Sequence, residues 1–235
     1  MRRALACLTL IGLLAPAAQG QQVDGHQHHH HDHLMPGVPA TSSPPLDHGA
    51  HNHEIGPAGS TYDLRWIDAM VQHHTGALRM SEVVFDIGVP GVGALAKQIW
   101  RDQAQEIKAM GQWRKAWYPD APVYPVTLPA GGDPEAMAAL TRMSTAQIQA
   151  MQMMGSMPAR KNRVTWFLEG MIAHHGGALV MAHDALNKSS NPTIQRLARQ
   201  IIVTQRQEIL ELRGMLKRDG LDKPEYHQFD ALFRL

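Results

Sequence analysis

Apolar residues recur every three or four positions in four long stretches, the spacing that lines one face of an α-helix. In the first stretch Trp66, Met70, His73, Ala77, Met80 and Val84 share a face, with His74 and Leu78 at its edge. In the second, Val92, Leu95, Ile99, Gln103, Glu106, Met110 and Trp113 do the same. The punctuation agrees with helices over about 61–87, 92–117, 162–187 and 192–218. Asp63 suits a first N-cap, Gly88 to Gly93 with Pro90 makes a turn, and Asn191-Pro192 supplies an N-cap and a first-turn proline. Between the pairs, Tyr118 to Gly132 is proline-rich and reads as extended, and Asp133-Pro134 opens a shorter helical stretch towards Met157.

The pattern repeats. Met70-Val-Gln-His-His-Thr-Gly-Ala-Leu-Arg-Met80 recurs as Met171-Ile-Ala-His-His-Gly-Gly-Ala-Leu-Val-Met181, and the run Leu95 to Ile107 recurs as Leu197 to Ile209. Both blocks keep their order, so a two-helix unit has been duplicated. The expected fold is all-α: an antiparallel four-helix bundle with pseudo-twofold symmetry, built from helical repeats at 61–118 and 161–219. Segment 119–160 is a Pro/Met-rich linker with a short helix, and 220–235 is a C-terminal tail.

The apolar stripe contains polar residues. Gln103 and Glu106 stand where the period calls for apolar side chains, and Gln205 and Glu208 repeat the anomaly. A buried carboxylate is costly unless paired. His73, His74, His174 and His175 fall on or beside the inward stripe of the facing helices, and an imidazole that binds a metal through one nitrogen normally offers the other to a carboxylate. Met70 lies one turn before His73 and His74, within reach of a common ion. Met80 lies about 10 Å beyond His73 along the axis, too far to share an ion with it comfortably. Each ion therefore draws on Met and His of one helix plus a ligand of the symmetry-related one. Met70, His73, His74, Met80, Met171, His174, His175 and Met181 are the candidate ligands; Gln103, Glu106, Gln205 and Glu208 are their supporting partners, with a ligand role for the two glutamates left open. Thioether with imidazole favours copper, Cu(I) above all but also Cu(II). Neither repeat has the Glu-x-x-His of a ferritin-type di-iron centre. Met137, Met143, Met151, Met153, Met154 and Met157 read by default as packing; Met143, Met151 and Met154 fall near one helical face, and a soft-metal relay is the other reading. Gly76, Gly177, Ala77 and Ala178 read as small residues that let helices approach, and His183 and His227 as surface residues.

Composition changes the picture at the N-terminus. Arg2 and Arg3 precede an apolar run from Ala4 to Leu14 and small residues to Gly20, which reads as a cleaved secretory signal over 1–20 and a secreted or periplasmic protein. No stretch approaches the roughly 20 apolar residues of a permanent membrane span. The single cysteine, Cys7, lies in that run, so metal chemistry rests on the 15 histidines and 14 methionines rather than on thiolate. Residues 21–60 hold nine of those histidines and no lysine or arginine, a disordered tail by composition. His26, His28, His29, His30, His31, His33, His48, His51 and His53 form an auxiliary, undemanding binding segment for copper, zinc or nickel. With 22 basic residues against 21 acidic ones there is no basic stripe for nucleic acid. No serine or cysteine triad, P-loop or dinucleotide fingerprint is present.

The doubled MxxHHxGALxM block, followed by LAxQI and QxQEI, resembles the bacterial family named domain of unknown function 305, over roughly residues 61–218. The resemblance implies an exported, ferritin-like helical bundle, with copper binding and tolerance in some members. Carried over, the family's histidines and methionines fall on Met70, His73, His74, Met80, Met171, His174, His175 and Met181. Arg163-Val164 replaces the family's usual lead-in pair in the second half. The expected role is an extracytoplasmic copper-binding protein that sequesters the metal or hands it to a copper exporter or another envelope metalloprotein, with no catalysis required. A copper-dependent oxidase using the same residues, and a metal-free interaction module of the envelope, are the alternatives.

Overall fold

The computed structural model describes residues 53–121 and 124–235. The signal segment, His26 to His51 of the histidine-rich segment, and two linker positions lie outside the described residues. The chain is mostly helical: α1 (Tyr62–Glu82), α2 (Val92–Trp117), a two-residue strand pair β1 (Val126–Thr127) and β2 (Thr141–Arg142), α3 (Thr145–Gln152), α4 (Arg163–Lys188) and α5 (Pro192–Arg218). The four long helices stand where the apolar period places them. α1 packs against α2 and α4 against α5, and the two hairpins meet through α1 and α4. Among the described residues no helix is long and apolar enough to cross a membrane.

Two large apolar clusters and a small one, Leu64, Val126 and Leu140 beside the strand pair, form the core of the described residues. One large cluster gathers Trp66, Met70, Met110, Met181, Ile201 and Ile202. The other gathers Met80, Ile99, Phe167, Met171, Ile209 and Leu212. The direction of α4 against α1 follows from the contacts between them: Trp66 Nε1 donates to the Met181 carbonyl at 2.9 Å, and the Tyr62 hydroxyl donates to Asp184 Oδ2 at 2.8 Å, so the helices run antiparallel.

Several local expectations need correction. Thr61, not Asp63, precedes α1, and Asp63 sits in the first turn, where its charge faces the positive helix end. α1 stops at Glu82, short of residue 87. Asp133-Pro134 opens no continuous α-helix, only a turn followed by one 3₁₀ turn at Met137–Ala139. The linker helix is confined to Thr145–Gln152, opened by a capping box in which Ser144 Oγ accepts from Gln147 N and the Gln147 side chain accepts from Ser144 N. Met143 precedes this helix and Met154 follows it, so Met143, Met151 and Met154 share no helical face. The strand pair, unforeseen, is anchored by Asp68, whose fully buried carboxylate accepts from Arg114 Nε at 2.6 Å and from Val126 N at 2.8 Å. Burial pushes the Asp68 carboxyl upwards; Arg114 and the Val126 amide oppose that shift.

Residues 53–60 are docked rather than a free tail. Ile55 is buried in the first apolar cluster, its carbonyl accepts from buried Arg65 Nη1, and Lys188 Nζ donates to the Gly56 carbonyl at 2.9 Å. His183 is half-buried, with Nε2 donating to the Leu232 carbonyl at 2.9 Å, and only His227 remains an exposed residue as expected.

Candidate metal centre

α1 and α4 cross at a pair of histidines. The His73 and His174 rings stack with centroids 3.9 Å apart, and neither is exposed to solvent. Each Nε2 lies 3.0 Å from the other residue's backbone carbonyl. His174 Nδ1 has no hydrogen-bond partner, so the proton of that ring sits on Nε2, which donates across the crossing. His73 faces a carbonyl with each nitrogen, that of His174 with Nε2 and that of Met151 with Nδ1 at 2.9 Å, and a neutral ring donates to one of them at a time. A charged ring would satisfy both carbonyls. Burial, aided by His53 and His74, nevertheless holds His73 well below its ordinary 6.5. Burial also depresses His174, followed by His73, His175 and His74.

His74 and His175, each one residue further on, turn away from the crossing towards α2 and α5. His74 Nε2 lies 2.6 Å from Glu106 Oε2, and His175 Nε2 lies 2.9 Å from Glu208 Oε2. The second approach is off the donor line, an ion-pair contact rather than a directed hydrogen bond. The Nδ1 atoms of His74 and His175 are both buried without a hydrogen-bond partner. So are both amide atoms of Gln103, Oε1 of Gln205 and Oε1 of Glu208. Each unmet buried group costs about 1–3 kcal/mol, so this layer calls for an ion or ordered water. The donor set suits a metal: a His74 Nδ1 whose far nitrogen is hydrogen-bonded to Glu106, and a His175 Nδ1 whose far nitrogen lies beside Glu208.

The four methionines flank the histidines. Met70, Met80, Met171 and Met181 are at most 1% exposed. Met70 and Met181 belong to the apolar cluster on one side of the crossing, Met80 and Met171 to the other. On their helices Met70 precedes His74, and Met171 precedes His175, by one turn. Among the described residues no group of three or more His, Cys, Asp or Glu side chains is arranged to hold an ion.

A cleft of about 570 Å³ between α2 and α5 leads to this layer, lined by Asp102, Glu106, Trp113, Arg196 and Gln200 among others. Burial, then Glu208 and, more weakly, Glu106, raises the Asp102 carboxyl, against the opposing charge of Arg101. Asp102 escaped the sequence reading because its position in α2 carries no period signal. Gly76 lets the end of helix α3 approach α1, since a Cβ there would lie 1.9 Å from the Gln152 carbonyl oxygen, whereas one on Gly177 would meet the His53 and Met153 side chains rather than a helix.

The family model for the domain of unknown function DUF305 matches residues 63–220. The chain belongs to the DUF305 family. The DUF305 domain includes α1, α2, α4 and α5 and thus all of the histidine layer. Among solved structures, CopM in its Cu(II)-bound form is 25% identical, with a TM-score of 0.52, covering 69% of this chain and 99% of that one. A DUF305 fragment from Deinococcus radiodurans is 28% identical, with a TM-score of 0.49 and the same coverage. An uncharacterised protein of Acanthamoeba polyphaga mimivirus is 40% identical over 50 residues, 21% of this chain. The chain spans about a third of that curated relative's length, 33%.

Proposed function

We propose that this DUF305 protein is an exported copper-binding protein that sequesters the ion or hands it on outside the cytoplasm. The observation that carries the reading is the pair of buried histidines, His74 and His175, each with Nε2 at a glutamate and Nδ1 lacking a partner. Likeness to a protein solved with Cu(II) supports the choice of metal. Nδ1 of His74 with the Met70 thioether, and Nδ1 of His175 with that of Met171, supply the soft and borderline donors that suit Cu(I). Glu106 and Glu208 orient the rings and raise their basicity rather than bind the ion. His73 and His174, with Nε2 on backbone carbonyls, set the crossing angle that brings the two halves together; Met80 and Met181 close the apolar walls. The histidine-rich segment before residue 53 collects the ion with little selectivity, and the ion itself is the cargo.

Cu(I) titration of the full chain against a competing chromogenic chelator tests this. The double variant H74A/H175A is expected to lose the copper that survives competition. Glu106→Gln with Glu208→Gln is expected to weaken it about 10- to 100-fold, with unchanged far-UV circular dichroism. Equal retention by H74A/H175A and the parent chain would remove the bundle from the reading.

A further inference from the structure

Beside the helix crossing lies a place where an imidazole and a thioether converge. His53 Nε2 and Met153 Sδ lie 2.6 Å and 3.1 Å from the point that a Cβ on Gly177 would occupy. Glycine at this position of α4 leaves that point open, and the pseudo-equivalent Gly76 on α1 faces only backbone. The two donors line a cavity of about 190 Å³ with Ala173, Val180 and Phe229. Both are half-buried, so the place is reached from solvent. Met153 ends α3 in the left-handed region, φ 48° and ψ 30°, where glycine is the usual residue and a long side chain is strained. The His53 ring stands edge-on to that of His73, centroids 5.5 Å apart.

We propose that His53 Nε2 and Met153 Sδ, meeting over Gly177, form a second binding site for a soft monovalent ion, Cu(I) or Ag(I). A thioether paired with an imidazole suits such an ion, which accepts low coordination numbers. The site stands between the histidine-rich segment, which ends at His53 in sequence, and the buried crossing, reached through His73. It is a port on the copper path, and so rests on the copper reading above.

Ag(I) titration of the full chain labelled with ¹³C at the methionine methyls tests the port, with Met153 assigned through Met153→Leu. The Met153 methyl is expected to shift within the first equivalents of Ag(I). His53→Ala should abolish that shift while the Met70 and Met171 methyls still move, and Gly177→Ala, which fills the meeting point, should do the same. A Met153 methyl that stays still, or that moves equally in His53→Ala, overturns the port; if Met70 and Met171 move meanwhile, the bundle reading stands. Movement of Met153 alone supports the port and removes the bundle. A spectrum in which none of the three moves removes both.

Discussion

Replacing Gly76 with alanine is expected to destabilise the chain by about 3 kcal/mol, despite the roughly 1 kcal/mol that alanine gains over glycine within a helix. The added methyl would sit 1.9 Å from the Gln152 carbonyl oxygen and 2.7 Å from its carbonyl carbon. Those atoms belong to backbone at the end of α3, which cannot swing aside as a side chain tip would. The segment must retreat, and with it the Met151 carbonyl that rests on His73 Nδ1. Gly111→Ala in α2 is the matched comparison, because nothing lies within 4 Å of its added methyl. That change should raise stability by about 1 kcal/mol. Urea midpoints for both variants check the pair. A Gly76→Ala chain as stable as Gly111→Ala would mean that α3 does not rest on α1.

Acid is expected to weaken the metal-free chain well before its carboxylates titrate. Burial holds His73 and His174 neutral, well below 6.5. In the unfolded chain both rings take protons near pH 6.5. Below that pH the unfolded state binds more protons than the folded one, so stability falls as pH falls. It is fully present above about pH 7 and is lost towards the depressed folded values, at up to about 1.4 kcal/mol per pH unit for each ring. Two rings give about 2.7 kcal/mol between pH 6 and pH 5 at most. Urea midpoints in the presence of a chelator, taken from pH 8 to pH 5, read this directly. A flat profile down to pH 5 would show that the two rings bind protons equally in both states.

The long helices were legible because each buries one face, and a buried face writes its period into the chain. The duplicated blocks added the pairing of the halves, and the misplaced Gln103, Glu106, Gln205 and Glu208 marked the polar layer before any geometry was known. What was not legible depends on backbone meeting side chain. The stacking of His73 on His174 rests on main-chain carbonyls, which no residue type announces. The α3 start was legible in principle, since Ser144 and Gln147 form a capping box, but the nearby Asp133-Pro134 is the louder signal. Ile55 was lost among polar neighbours, although its burial draws residues 53–60 onto the helices. Met153 looked like packing material because its sulfur's neighbour, His53, is a hundred residues away in sequence.

The exchange between His73 and His174, in which each ring's Nε2 meets the other's carbonyl, is the kind of contact found across a molecular dyad. Two separate copies of one helical hairpin would already make it, each lending the other what it receives. Joining such copies into a single polypeptide would invent no interface, only a tether, and would free the halves to diverge. Replacing either inner histidine would remove its own hydrogen bond and the shared ring stack, while its backbone carbonyl would still accept from the other ring.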